Sequence, residues 1–268
     1  FAMLQKLVRN RIIAVGDQCQ AIYGFRGAHN SGMASLKTLF KMEELTLSTS
    51  FRCPEAVVKH VQWRAPHMVA WEDNPTKGTV THLPFWRLDN LPSECAVICR
   101  NNAPLLTLAI AILKAGRYPN LWGNDVAKGL VKEMKDFGAG SMSQADVFTA
   151  IDHWHHTKAQ RARNLNNLND RAECMRIFAK EGDNLREIIA NAEQLFLSEG
   201  KLDLMTGHKA KGHEWDDVFI LDAGLIGTEG QEPNLRYVMA TRSKNNLTYI
   251  NTADCAEIIE AQAGKEEE

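Results

Sequence analysis

The 268-residue sequence predicts an α/β protein whose parallel sheet is interrupted by a helical insertion. Three observations carry that reading. Short strand-like apolar runs alternate with helix-like stretches over residues 10–122, the texture turns helical and polar between about 124 and 197, and the alternation resumes from 198. Hydrophobic residues make up 44% of the chain, enough to bury one sizeable core and a smaller satellite, so one or two compact domains are expected.

Taken in order, residues 3–9 read as the end of a helix and 11–15, containing IIAV, as a short buried strand. The loop GDQCQAIYGFRGA follows, and a helix covers 31–41. ELTLS at 44–48 alternates like a strand, SFRCPEAVVKHVQWRA opens a helix with proline near its first turn, and GTVTHLPF at 78–85 alternates again. CAVIC is a strand, and APLLTLAIAILKAG is an apolar helix stopped at Gly116. The next region, to Leu197, is rich in Lys, Arg, Asn, Gln and His and has no convincing strand. KLDLMTGHKAKGHEWDDVFILDA then holds two strands around a polar loop, before a helix near 232–242 and a strand at 247–250. The end, AGKEEE, is expected to be solvated. At the other terminus Phe1-Ala2 precedes the first methionine, and a helix-like run leads straight into a strand-like one, as in a domain entered part-way through.

A formal net charge of −2 and a pI near 6.5 exclude a protein that is basic throughout, so any nucleic-acid contact must come from locally placed groups. Cys19, Cys53, Cys95, Cys99, Cys174 and Cys255 show no two-residue spacing of a zinc knuckle or redox pair, and a reducing cytosol is the expected compartment. No stretch approaches the roughly 18 consecutive apolar residues of a membrane span, so no membrane partner is expected.

Four segments carry chemistry. In VGDQCQAIYGFRGA, residues 15–28, a strand runs into a polar loop that places Gln20 just past the carboxyl edge of a parallel sheet, where ligands bind. Tyr23, Phe25 and Arg26 follow, a combination suited to stacking on unpaired bases beside a phosphate, or to an ordinary turn with aromatics packed inward. In LSTSFRCPEAVV, Phe51 can stack on a planar base while Arg52 reaches phosphate oxygens; a plain surface arginine at a helix start has the same appearance. In LMTGHKAKGHEWDDVFIL, Thr206, His208, Lys209, Lys211 and Glu214 share a loop that Gly207 and Gly212 let approach a ligand closely. This is not a Walker A loop, because Gly212 is followed by His213-Glu214 instead of Lys and Ser/Thr. Arg242, in LRYVMATRSKNNLTYI, ends an apolar helix ahead of a strand, a mounting that suits an arginine finger or a simple complement to the helix dipole.

In this order the four segments resemble motifs III, IV, V and VI of the UvrD/Rep/PcrA helicases of superfamily 1, and RNNAPL at 100–105 resembles the family's segment ahead of its helical insertion. The resemblance covers roughly residues 10–122 and 198–252 and barely touches the insertion. It implies a RecA-like sheet and specific roles. Gln20 would sense the γ-phosphate of ATP; Tyr23, Phe25, Arg26, Thr206 and His208 would hold single-stranded or partial duplex DNA. Phe51 would stack on adenine, Glu214 beside Gly212 would meet the ribose, and Arg52 and Arg242 would reach the γ-phosphate, with translocation running 3′ to 5′. ATP and Mg²⁺ are the cofactors implied for the intact enzyme.

The sequence departs from that pattern in places. Gln18 and Cys19 stand where the family often has acidic residues, and the charged residues before motif VI are thinned to Glu232, Pro233 and Asn234. Neither GxxxxGK[ST] nor an Asp-Glu dipeptide occurs, so the phosphate cradle and magnesium ligand are missing. His153, His155 and His156 read as exposed surface, Cys95 and Cys99 as small buried residues on one strand face. The basic run at 158–176 is either a solvated helix face or a DNA-facing patch.

The expected organisation is a remnant of a first RecA-like domain (1–42), a second RecA-like domain (43–122 and 198–255) split by the helical insertion (123–197), and a tail (256–268). The function expected is that of the C-terminal part of an ATP-dependent DNA helicase, inactive as an ATPase without its missing N-terminal RecA-like domain. The alternative is a stand-alone DNA- or partner-binding protein of helicase ancestry.

Overall fold

The computed structural model describes residues 2–27, 31–162 and 164–263, without the side chains of Phe25 and residues 124–127. After α1 (Ala2–Leu7) and α2 (Gly32–Phe40), a two-residue parallel pair, β1 (Thr49–Ser50) with β2 (Val69–Ala70), brackets α3 (Glu55–Val61). The main sheet is wholly parallel: β3 (Thr79–His82), β4 (Cys95–Cys99), β5 (Pro119–Leu121), β6 (Leu202–Thr206), β7 (Trp215–Leu221) and β8 (Ser243–Ile250), in the order β3-β8-β7-β4-β6-β5. Every residue of β4 is buried, as a central strand covered on both faces requires; this is why CAVIC reads as an unbroken apolar run.

Strand alternation divides the interior into two cores. Cys95, Val97 and Cys99 face α4 (Asn102–Lys114), α11 (Ala256–Ala263) and the insertion helices α5 (Asn124–Lys135), α6 (Gln144–Ala159), α7 (Leu165–Ala179) and α8 (Leu185–Leu195). Ala96 and Ile98 face α3, α10 (Glu232–Ala240), the single turn α9 (Gly207–Ala210) and Ile22. The insertion therefore shares a core with the sheet's own helix. It also caps that helix, because the Asp170 carboxylate of α7 accepts the backbone N–H groups of Asn102 and Ala103.

The structure corrects two expected strands. Residues 11–15 and 44–48 are irregular, and their apolar side chains lie open: Ile13 is 73% exposed, Val15 83%, Leu45 82% and Leu47 89%. A strand exists only where a neighbour takes its N–H and C=O groups; among the described residues none pairs with 11–15 or 44–47, and Ser48 gives only its carbonyl, to Val69 N at 3.0 Å, ahead of β1. Conversely β5 was not expected. Three residues opening with proline give too short a pattern to read, yet proline is well tolerated as the first residue of an edge strand. The last strand begins four residues before the expected 247, because the polar Lys244–Asn246 stretch pairs alongside β7. Residues 264–268 and the side chain of Phe25 lie outside the described residues. Among those described, no helix is long and apolar enough to cross a membrane, and no group of three His, Cys, Asp or Glu could hold a metal ion.

Candidate functional site

Residues 207–214 return the chain from one end of the sheet to the other. Thr206 closes β6 level with Cys99 and Leu221, at the carboxyl end, whereas Glu214 and Arg242 immediately precede the paired residues Trp215 and Ser243 at the amino end. Gly207 starts this return because a β-carbon there would press into Met239 and Leu235 of α10; Gly212 ends it in the left-handed region, at φ +97°. The loop thus contributes to two clusters.

The first cluster lies at the carboxyl end of β5 and β6. A cleft of about 610 Å³ is lined by Tyr23, Arg26, Thr206, His208, Lys209 and Lys211, together with Asn120, Trp122 and Gly123. The Tyr23 hydroxyl donates to the His208 carbonyl at 3.1 Å, and its ring carries the Lys211 ammonium at 5.2 Å and the Arg26 guanidinium carbon at 5.5 Å. Burial, then the nearby charge of Arg100, lowers the pKa of His208, so its imidazole is neutral at pH 7. Among the described lining residues three are cations and none is acidic. Two aromatic rings inside a positive wall offer stacking faces and phosphate partners together.

The segment carrying Tyr23 is docked by a buried amide. Asn234, 6% exposed, donates to the carbonyls of Gln18 and Ala21 at 3.0 and 2.8 Å and accepts from Arg64 Nε at 2.8 Å. Gly24 N donates to Gln231 Oε1 at 2.6 Å, and Lys211 Nζ to the Gln20 carbonyl at 2.8 Å. The Gln20 side chain donates to Asp17 at 2.8 Å, so the structure joins Gln20 to the lysine of the return loop. Arg100, at the end of β4, meets Glu232 through both carboxylate oxygens, with contacts of 2.8 to 3.1 Å. Glu232 and Asn234 were read from the sequence only as a thinning of charge; their structural work depends on partners 132 and 216 residues away and has no local signal.

The second cluster lies at the amino end of β7 and β8. Arg52 Nε donates to Glu214 at 2.6 Å and its NH1 to the Thr241 carbonyl at 3.3 Å. Arg242 is 2% exposed, and its guanidinium is folded back on the chain, donating to the carbonyls of Val238 (2.8 Å) and His213 (3.2 Å) and to the Thr241 hydroxyl (3.1 Å). Burial, reinforced by the like charge of Arg52, brings the Arg242 pKa down to about 10, so it remains cationic at pH 7. Phe51 is 72% exposed and tilted beside Trp71, with ring centroids 5.7 Å apart. The structure therefore gathers Arg52, Glu214 and Arg242 at one place and Tyr23, Arg26, Thr206 and His208 at another, with the Gln20 carbonyl joined to Lys211 of the latter.

The discounted signals stay outside both clusters. His155 pairs with Asn169 at 2.8 Å on the insertion surface, and Cys95 and Cys99 are buried in the first core.

Residues 1–41 match the family described as the UvrD/REP helicase N-terminal domain, and residues 201–249 match the UvrD-like helicase C-terminal domain. The chain is similar to F-box DNA helicase protein 1 of Schizosaccharomyces pombe, with 24% identity over 286 residues, covering 90% of this chain and 31% of that protein. The chain thus spans about a third of the length of that relative. The two matched segments, the second of which contributes three strands of the parallel sheet, make the chain similar to UvrD-type helicases.

Proposed function

We propose that the chain supplies the second RecA-like half, split by its helical insertion, of an ATP-dependent DNA translocase that moves 3′ to 5′ along one strand. On this reading the second half comprises residues 43–122 and 198–255, around the insertion at 123–197. The observation that carries it is the cleft in which Tyr23, Arg26, Thr206 and His208 meet across a sequence separation of up to 185 residues. Aromatic faces and cations, with no carboxylate among the described lining residues, suit a single strand, whose bases are free to stack.

The second cluster fits a nucleotide triphosphate. Glu214 pairs with Arg52 alone, while Arg242 is held by main-chain carbonyls and the Thr241 hydroxyl, which leaves positive charge for phosphate oxygens, and exposed Phe51 offers a face to a purine. Bound ATP would supply phosphoryl-transfer chemistry. For this chain's part, Arg52 would exchange Glu214 for phosphate, Glu214 would turn to the ribose beside Gly212, and Arg242 would leave the Val238 and His213 carbonyls. Gln20 would report the change through Lys211 to the DNA cleft. A Mg²⁺ ion needs more oxygen ligands than Glu214 provides, so it would be held by the phosphates and by groups outside this chain. The open faces of Ile13, Val15, Leu45 and Leu47 support an apolar covering partner, which we assign to the remainder of a first RecA-like domain whose end is residues 1–42.

Fluorescence anisotropy with a labelled oligothymidylate tests the proposal. The chain is expected to bind single strands in preference to duplex, with affinity falling as salt rises, and to show no DNA-stimulated ATP hydrolysis. Equal affinity for duplex, or hydrolysis above background that Arg242→Ala removes, would overturn it.

A further inference from the structure

The cleft holds an indole that the motif residues do not account for. Trp122 directly follows edge strand β5, and its Nε1 donates to Asp203 Oδ1 at 2.8 Å. Asn120 Nδ2 donates to the same oxygen at 2.7 Å, and Trp215 Nε1 donates to Oδ2 at 2.8 Å. One carboxylate on β6 therefore gathers three N–H donors from β5, its following turn and β7. The Trp122 ring is fixed further by edge-on contacts with His213 (centroids 4.7 Å, 77°) and Trp215 (6.1 Å, 73°). Gly123 follows at φ +98°, a conformation that favours glycine, and the Lys209 side chain occupies the space a β-carbon there would take.

We propose that Trp122 is an additional nucleobase-stacking position in the cleft, and that Asp203 is the positioning residue that sets its plane. The proposal rests on reading the cleft as a single-strand site. A held indole loses little freedom when a base settles on it, and it serves any base because every base has a flat face. Asp203 also ties this position to the nucleotide cluster. Its other oxygen holds Trp215, which ends the run His213-Glu214-Trp215; the His213 carbonyl accepts from Arg242, and Glu214 holds Arg52.

The test measures binding of the chain to labelled oligothymidylate and to an abasic strand of equal length, over about 50 to 300 mM salt. Trp122→Ala is expected to weaken oligothymidylate binding about tenfold with an unchanged salt slope, to leave abasic binding unchanged, and to be largely rescued by Trp122→Phe. Asp203→Asn should weaken the same binding several-fold, and the double variant should be no weaker than Trp122→Ala, as for residues acting as one unit. Lys209→Ala should instead reduce the salt slope by about one. Equal losses on both strands would mean that Trp122 merely supports the fold, and an unaffected Trp122→Ala beside a responsive Lys209→Ala would end this proposal while sparing the cleft. A native chain that binds neither strand would remove both readings.

Discussion

Replacing Asp170 with alanine tests whether the insertion and the sheet form one cooperative unit. Helix α4 begins with N–H groups that have no partner within the helix, and its own preceding residue, Asn101, makes no capping bond. Asp170, 8% exposed on α7, does this from the insertion: its carboxylate accepts Asn102 N at 3.0 and 3.1 Å, Ala103 N at 3.0 Å and Asn102 Nδ2 at 2.8 Å. Losing a helix cap costs about 1 kcal/mol, and stranding buried donors costs about 1–3 kcal/mol more. Asp170→Ala should therefore destabilise by about 3 kcal/mol, a large share of the roughly 5–15 kcal/mol of a typical domain. Asp170→Asn, which keeps one acceptor, should lose about 1 kcal/mol. Urea unfolding gives the magnitude, and hydrogen exchange read by mass spectrometry locates it. Exchange should quicken together in α4 and in α5 to α8. A loss below about 0.5 kcal/mol, the scale of an ordinary surface change, or faster exchange confined to the insertion, would refute the shared core.

Other outcomes follow from the same geometry. Tyr23→Ala should weaken single-strand binding by about 1–3 kcal/mol in an anisotropy titration, the scale of one lost base stack; unchanged affinity would take Tyr23 out of the site. His208 and His60 both have pKa values held below the usual 6.5, chiefly by burial. The unfolded chain therefore takes up protons first as pH falls. Their contribution is intact above about pH 6.5 and is lost as pH drops toward the depressed folded values, so Tm should be lower at about pH 5.5 than at 7.5, and less so in His60→Asn. Burial raises the thiol pKa of all six cysteines, taking Cys95 and Cys99 to about 12. Thiol titration at about pH 8 should find at most Cys19 reacting quickly in the native chain and all six after unfolding; rapid native labelling of Cys99 would contradict the buried β4.

The central strands and motif loops were legible because their information is local. CAVIC is apolar at every position, the following helix has its glycine stop, and the polar loop between two apolar runs announces the segment from Thr206 to Glu214. Ile13 and Val15 misled because β-character is a property of a pair, and the described chain contains no partner for them. The pairing of Asp203 with Trp122 and Trp215 was invisible for a related reason. An aspartate within LDLMT looks like a polar interruption until β5 and β7 bring two indole N–H groups to it from 81 and 12 residues away. The two-ended arrangement of the candidate sites likewise depends on strand register, which places Thr206 beside Cys99 and Trp215 beside Ser243.

Photocrosslinking bears most directly on where a strand lies. A single strand carrying bromodeoxyuridine, irradiated with the chain and digested for peptide mapping, should link to peptides containing Tyr23, Trp122 or His208. Crosslinks concentrated in the basic stretch at 158–176, with the cleft peptides untouched, would contradict the assignment of the DNA path to the carboxyl end of β5 and β6.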